Sequence, residues 1–168
     1  MNSPPHSDQT PLPVSSTYSP SSTYDPEDHE QRTGLVNSLR NLLIADDYLR
    51  FTTSSNEVGY RKPIEDRKSL FVLLGLSESA LVFDDGLNPF TLHIIYTASD
   101  GTERILAKPR EIRIKREPGV PCQEIVDNVI NAIERIQSIE PFKCHHCGAP
   151  KFKSRQNNIV CAEVCYSK

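Results

Sequence analysis

Four cysteines within the last 25 residues constrain this chain more than any other feature. They form two close pairs, Cys144-x-x-Cys147 and Cys161-x-x-x-Cys165, which a short polar loop separates. Pairs at such spacings are typical of a tetrahedral Zn²⁺ site, in which four sulfurs converge on one ion. The segment has few apolar residues, so metal binding would supply most of its folding free energy, on the order of 10 kcal/mol or more at neutral pH. We therefore predict a four-cysteine zinc finger over residues 141–168.

The cysteine pairs are expected to be metal ligands rather than disulfides. The N-terminus has no basic stretch followed by an apolar one, so it does not resemble a secretory signal. An intracellular, reducing location, cytoplasmic or nuclear, is expected. No apolar run reaches 18 residues, so neither a transmembrane helix nor a membrane partner is expected. The fifth cysteine, Cys122, lies on an apolar helical stripe and is interpreted as a small core residue.

The residues around the paired cysteines resemble a treble-clef zinc finger of the MYM/FCS type. Cys144-x-x-Cys147-Gly148 precedes Ile159-Val160-Cys161, and the resemblance covers residues 142–166 only. It implies a knuckle, a hairpin and a closing helix. The chain departs from the family in two ways, because Ala162 replaces the usual serine and the chain stops at Lys168. A zinc ribbon is the alternative geometry.

The predicted zinc is structural rather than catalytic. Four thiolates fill a tetrahedral shell, whereas a catalytic zinc keeps one position open for water. His145 and His146 lie between the first two cysteines, where they either compete as ligands or remain solvated; we favour solvation. The sequence contains no Gly-x-Gly-x-x-Gly, phosphate loop or Gly-x-Ser-x-Gly motif, so no enzymatic activity is predicted.

Charge is divided unevenly between the two ends of the chain. Residues 1–30 carry five acids and no base, whereas residues 142–168 carry five bases and one acid. Four thiolates and one Zn²⁺ would leave the finger with a net charge of about +2. Basic residues beside an aromatic one suit a phosphate backbone with a stacked base. The predicted nucleic-acid-binding residues of the finger are Lys143, Lys151, Phe152, Lys153 and Arg155. The alternative is a charged surface that only keeps a small module soluble.

A second basic stretch lies at the end of the predicted sheet, at residues 108–116. Within it, Arg113 and Lys115 share one face of a strand and are added to the predicted nucleic-acid-binding residues. The alternative interpretation is an edge strand that charge protects against pairing with another chain.

The middle of the chain predicts an α+β domain over residues 33–140. Leucines at helical spacing predict a helix over residues 34–50, and the polar stretch 51–67 with Gly59 and Pro63 is interpreted as a loop. An antiparallel meander of four or five strands follows, and an amphipathic helix over residues 121–138 closes the domain. The predicted strands are Leu70–Leu76, Ala80–Phe83, Phe90–Thr97, Glu103–Ala107 and Arg110–Lys115.

The N-terminal segment is interpreted as a disordered, acidic, Ser/Thr/Pro-rich tail over residues 1–32. It contains too little apolar surface to offset the loss of chain entropy on folding. A tandem hexad over residues 15–20 and 21–26 places Tyr18 and Tyr24 at the same position of each copy. The tail is either a flexible linker with a chance duplication or a docking and phosphorylation segment, with Ser19-Pro20 as one candidate site.

These features predict a non-enzymatic zinc-binding protein that is nucleic-acid-associated or regulatory through its basic C-terminal finger. The cofactor is Zn²⁺, and the expected partner is DNA or RNA, with binding that weakens steeply as salt increases. The alternative is a protein–protein adaptor with a structural zinc finger and a disordered docking tail.

Overall fold

The computed structural model describes residues 22–52, 57–76, 86–163 and 165. A first helix precedes a six-stranded antiparallel sheet, a second helix and a small two-stranded hairpin. The predicted α+β class is confirmed. The helices are α1 (His29–Ala45) and α2 (Cys122–Ser138). The strands of the main sheet are β1 (Leu49–Thr52), β2 (Glu57–Glu65), β3 (Lys68–Leu76), β4 (Phe90–Thr97), β5 (Glu103–Ile105) and β6 (Ile112–Ile114), and the hairpin contains β7 (Lys151–Lys153) and β8 (Ile159–Cys161).

The strands follow one another as a meander in the order β1-β2-β3-β4-β5, and β6 also pairs with β4. The C-terminal part of β4 pairs with β5, so that Ile95 faces Ile105, and its N-terminal part pairs with β6, so that Phe90 faces Ile114. The chain between β5 and β6 therefore leaves the sheet and returns to the same edge of β4.

The prediction of a loop over residues 51–67 is wrong, because this stretch forms most of β1 and β2. Gly59 and Pro63 led to the error, since both residues usually interrupt a strand. The pairing of β2 with β3 shifts register beside each of them, and such bulges accommodate a residue that a regular ladder excludes. The described part of the chain consequently contributes six strands to the sheet, where four or five were predicted. The predicted strand Ala80–Phe83 lies outside the described residues.

The first helix begins and ends earlier than predicted. Asp28 caps it, accepting a hydrogen bond from the backbone N–H of Glu30 at 3.0 Å. The helix starts at His29, inside the segment predicted as a tail, and ends at Ala45. Asp47 then adopts a positive φ of 68°, which turns the chain into β1.

Both helices pack on one face of the sheet and, within the described residues, enclose the main apolar core there. Most of the apolar stripe of α2 is buried, and Cys122 is part of the buried portion, as its predicted core role requires. Each buried aliphatic or aromatic side chain contributes about 1.5–3 kcal/mol relative to exposure. The most deeply buried core residues include Leu35, Leu39, Tyr60, Leu70, Phe90, Leu92, Ile125 and Ile136.

Tyr24, from the second copy of the tandem hexad, belongs to this core. Its side chain is 1% exposed, and its hydroxyl donates to the backbone oxygen of Gly86 at 2.6 Å. Gly86 has a φ of +78°, and a Cβ there would lie 2.9 Å from the Tyr24 hydroxyl, so glycine is required at this approach. A docking or phosphorylation role for Tyr24 would need the ring to leave the core. Tyr18 and Ser19 lie outside the described residues.

Candidate metal centre

The first two cysteines are held by a tight turn. The backbone N–H of Gly148 donates to the oxygen of Cys144 at 3.0 Å, and the N–H of Cys144 donates to the oxygen of Ala149 at 2.8 Å. Gly148 adopts a φ of +74°, which the turn requires and which glycine allows without steric cost. The turn brings Cys144 and Cys147 to the same side of the chain.

The second pair follows the β7–β8 hairpin. Cys161 ends β8 opposite Lys151, and Asn157 supplies the positive φ of 67° at the hairpin turn. The finger thus contains a hairpin, as expected from the sequence. Cys165 lies beyond it, and the N–H of Glu163 donates to the Cys161 sulfur at 3.4 Å. The hairpin therefore returns the chain to the first cysteine pair.

All four sulfurs lie within 4.8 Å of one another. The Cys147 and Cys161 sulfurs are 3.4 Å apart and those of Cys144 and Cys165 are 3.8 Å apart, and no disulfide joins any of them. Four sulfurs placed tetrahedrally at about 2.3 Å from a Zn²⁺ ion would be separated by about 3.8 Å. The donor set and its spacing thus fit a tetrahedral thiolate-binding metal ion such as zinc, and His145 and His146 are not part of the cluster.

The surroundings of the cysteine sulfurs shift their pKa values in opposite directions. Backbone N–H groups of Cys147 and His146 lower the pKa of Cys144 to about 6. Burial raises the pKa of Cys161 to about 12. Four neighbouring thiols cannot all ionise without a positive charge between them, and a divalent cation supplies that charge.

The finger packs directly against the α+β domain. The N–H of Ala107, which follows β5, donates to the oxygen of Lys151 at 2.8 Å, and the N–H of Lys151 donates to the oxygen of Phe142. Phe152 packs against the core, and Ala162 is buried within it. The hairpin is therefore held to the domain by the Ala107–Lys151 backbone hydrogen bond and by the packing of Phe152 and Ala162.

Glu163, between the last two cysteines, fixes the other end of the finger. Its carboxylate accepts hydrogen bonds from the Tyr96 hydroxyl at 2.9 Å, from the Ser99 N–H at 2.8 Å and from the Ser99 hydroxyl at 2.5 Å. Burial, followed by this hydrogen bond, raises the pKa of Tyr96 to about 12. We call this group, Glu163 with Tyr96 and Ser99, the Glu163 latch. The sequence did not reveal it, because its partners lie more than 60 positions away.

The predicted nucleic-acid-binding residues of the finger have different surroundings. Lys153 and Arg155 are exposed, and Lys151 is partly exposed. Lys143 lies 3.6 Å from the carboxylate of Glu140. Phe152 is partly covered, because the Arg104 guanidinium lies 4.8 Å from the centre of its ring.

The residues of the second basic stretch, 108–116, also differ from one another in exposure and in their partners. Lys115 is exposed, and Arg113 forms an ion pair with Glu111. Arg116 is buried, donating to the oxygen of Asn88 at 2.6 Å with its guanidinium 5.0 Å from the Phe90 ring centre. Arg116 is therefore buried against the core, while Lys115 lies on the surface.

One surface groove brings basic residues of the two stretches together. It has a volume of about 320 Å³ and lies between β5, the chain before β6, and β7. We call it the β5–β7 groove; its lining includes Glu103, Arg104, Arg110, Glu111, Phe152 and Lys153. Arg104 was not predicted, because it belongs to neither basic run and joins the groove only when the finger docks.

A scan of the chain against protein-family models finds no match, and comparisons with curated proteins and with solved structures find none either. The resemblance to the MYM/FCS finger consequently remains a prediction from the cysteine spacing. Within the described residues, neither helix has the length and apolar content that crossing a membrane requires.

Proposed function

We propose that this protein is a non-enzymatic zinc protein that binds single-stranded nucleic acid in the β5–β7 groove, with the zinc ion holding one wall of the groove in place. The observation that carries the proposal is the convergence of Arg104, Arg110 and Lys153 on one groove beside the four-cysteine cluster. The wall that contains Lys153 is a strand of the finger, so its position depends on the cysteine site.

The charge of the groove favours an anionic ligand. Its two acids already have basic partners, since Glu103 pairs with Arg61 at 2.5 Å and Glu111 pairs with Arg113. With both carboxylates paired, the three groove bases Arg104, Arg110 and Lys153 give the groove an excess of positive charge. A phosphate backbone supplies closely spaced negative charges that match such an arrangement.

The Arg104–Phe152 pair favours a stacked base over a purely electrostatic contact. One face of the Phe152 ring is covered by the guanidinium of Arg104. A planar guanidinium held on an aromatic ring presents its own outer face to a nucleobase, and arginine planes stack bases in single-stranded complexes. In this proposal Arg104, rather than Phe152 itself, contacts the base.

A structural role for the ion follows from the donor set. Four cysteine sulfurs complete a tetrahedral shell and leave no position for water or substrate. A tetrahedral set of four thiolates also accommodates iron, so the metal must be identified directly. Metal analysis of the purified protein should give one zinc per chain; iron in its place, or no stoichiometric metal, would contradict this part of the proposal.

The nucleic-acid part is tested by fluorescence anisotropy with short labelled oligo-dT and oligo-U. Binding to the zinc-loaded protein should weaken with salt with a logarithmic slope of about −2, as expected when about three phosphates are contacted on a single strand. Arg110→Glu and Lys153→Glu should each weaken binding. Arg135→Glu makes the same charge change on the exposed face of α2 and serves as the control. Equal losses in all three variants, or no binding at low salt, would rule out the groove.

The adaptor alternative has a separate basis. As predicted from the sequence, it rests on a structural zinc finger and a docking tail over residues 1–32, of which residues 1–21 lie outside the described residues.

A further inference from the structure

A second groove, of about 360 Å³, lies between the C-terminal halves of the two helices. We call it the α1–α2 groove; its apolar lining consists of Leu39, Leu42, Leu43, Val129, Ile130 and Ile133. Leu42 is 46% exposed and Ile130 is 40% exposed, although both lie on helices that otherwise bury their apolar faces. Single exposed aliphatic residues are ordinary, but a continuous apolar lining across two helices is typical of a binding surface.

The backbone around the groove determines what kind of segment can bind there. Both walls are α-helices, whose N–H and C=O groups are already paired along each helix. An extended peptide needs a free sheet edge to satisfy its own backbone, and helix walls do not offer one. A ligand that buries apolar side chains here must therefore satisfy its backbone hydrogen bonds internally, as a helix does.

The charge around the groove determines the polar face of that helix. The lining includes two acids, Asp46 and Glu134, and no basic residue among the described ones. The last turn of α1 has no basic residue to offset the negative end of its dipole, and Asp46 directly follows it. Lys62 lies 3.3 Å from Asp46 and compensates one of the two acids. Within the described part of the chain, Glu134 thus remains the uncompensated acid of the rim.

We propose that the α1–α2 groove binds an amphipathic helix of a partner protein, with aliphatic residues at i, i+3 or i+4 and i+7 in the groove and Lys or Arg beside them. The aliphatic residues cover Leu42, Ile130 and Ile133, and a flanking base meets Glu134, because Asp46 is already paired with Lys62. This inference does not depend on the zinc site or on nucleic-acid binding, since it uses neither the finger nor the β5–β7 groove.

The test uses the full-length, zinc-loaded, ¹⁵N-labelled protein and three synthetic peptides. The first has leucines at helical spacing flanked by lysines, the second has glutamates in place of the lysines, and the third has the composition of the first with the leucines out of register. The lysine peptide should shift the amide resonances of Leu42, Ile130 and Ile133 in a saturable way. It should bind about tenfold or more tightly than the other two, since like charges and a broken stripe each oppose docking.

Variants of the protein test whether the peptide binds at the α1–α2 groove. Ile130→Glu should abolish binding of the lysine peptide, whereas Ile159→Glu, at a similarly exposed position on the hairpin, should leave it unchanged. Glu134→Lys should weaken binding of the lysine peptide and strengthen binding of the glutamate peptide. Thermal melts confirm that each variant is folded, and the comparison of the three peptides on the unsubstituted protein does not rely on any variant.

Three outcomes would overturn the proposal. The first is equal binding of the three peptides, and the second is a set of resonance shifts that lies away from the groove. The third is concentration-dependent dimerisation, seen by sedimentation and lost in Ile130→Glu, which would assign the groove to a second copy of this chain.

Discussion

Cys147 is the exposed member of the cysteine cluster, while Cys122 is buried in the core. Cys147→Ser should therefore lower zinc affinity by orders of magnitude without disturbing the core, because a serine hydroxyl is a poor ligand for an ion held by thiolates. Metal content after dialysis against a weak chelator measures the effect. Cys122→Ala removes a thiol outside the cluster, and it should retain one zinc per chain. A similar metal loss in both variants would mean that the four-cysteine site is not the metal site.

His93 offers a test of the sheet face away from the helices. Its ring is 7% exposed and stacks on Phe71 with ring centres 5.0 Å apart. Burial lowers the pKa of His93 from the ordinary 6.5, and the carboxylate of Glu111 opposes that shift. Because the folded state favours the neutral imidazole, His93 contributes stability that is present above pH 6.5 and is lost as the pH falls below it.

Two substitutions should move this pKa in opposite directions. Phe71→Leu uncovers the imidazole and should raise the pKa of His93 towards 6.5, whereas Glu111→Gln removes the opposing charge and should lower it further. An NMR titration of the His93 ring measures both. A pKa that does not rise in Phe71→Leu would show that burial is not the main cause, and one that does not fall in Glu111→Gln would show that Glu111 does not oppose it.

At the residue scale, the sequence is most informative where the chemistry is local. The sulfurs of the four cysteines do lie within 4.8 Å of one another, and the pairing of these cysteines is recognisable because short turns that bring side chains together leave short spacings. Arg104 and Glu163 have roles that arise only from packing of the finger on the sheet, so no pattern within their own segments marks them. The same holds for Arg116, whose basic neighbours in sequence gave no sign of its burial beside Phe90.

At the scale of the elements, the Glu163 latch joins the segment that follows β8 to the end of β4 and the turn between β4 and β5. Glu163→Gln keeps the size of the side chain but replaces charged acceptor oxygens by a neutral amide, and it should destabilise the docked finger by about 1–2 kcal/mol. Zinc stoichiometry should remain one, because Glu163 is not part of the sulfur cluster. Faster hydrogen exchange of the Ser99 and Ala162 amides would report the loosened contact.

Glu140→Gln is the matched control for the latch. Glu140 is largely exposed and lies 3.6 Å from Lys143, so its loss should change neither amide exchange rate. Unchanged exchange at Ser99 in Glu163→Gln would show that backbone pairing alone anchors the hairpin.

The elements themselves were predictable to different degrees. The helix α2 and strand β6 have clear periodicity, whereas β4 is recognisable as a short apolar run that is buried on both faces. The region that forms β1 and β2 lacks such periodicity, because its bulges beside Gly59 and Pro63 break the alternation that would identify a strand. The early start of α1 depends on a cap at Asp28 that only the three-dimensional hydrogen bond distinguishes from an ordinary acidic residue.

Across the whole molecule, two parts differ in what stabilises them. The α+β domain has an extensive apolar core enclosed by its helices and sheet, whereas the finger adds little more than Ala149, Phe152 and Ala162 to that core. The domain should thus remain folded without metal, while the finger needs the ion. The β5–β7 groove contains residues of both parts, and the α1–α2 groove belongs to the domain alone.

Removal of the metal by a strong chelator should therefore separate the two grooves. Amides of the finger, such as those of Lys151 and Ala162, should lose protection from hydrogen exchange, while amides of β4 and the helical circular dichroism signal should remain. Oligonucleotide binding should fall to the level of the Lys153→Glu variant, because β7 no longer holds Lys153 beside Arg104 and Arg110. Binding of the lysine peptide to the α1–α2 groove should persist. If oligonucleotide affinity survived chelation, the zinc ion would not position the groove, and the two halves of the proposed function would have to be separated.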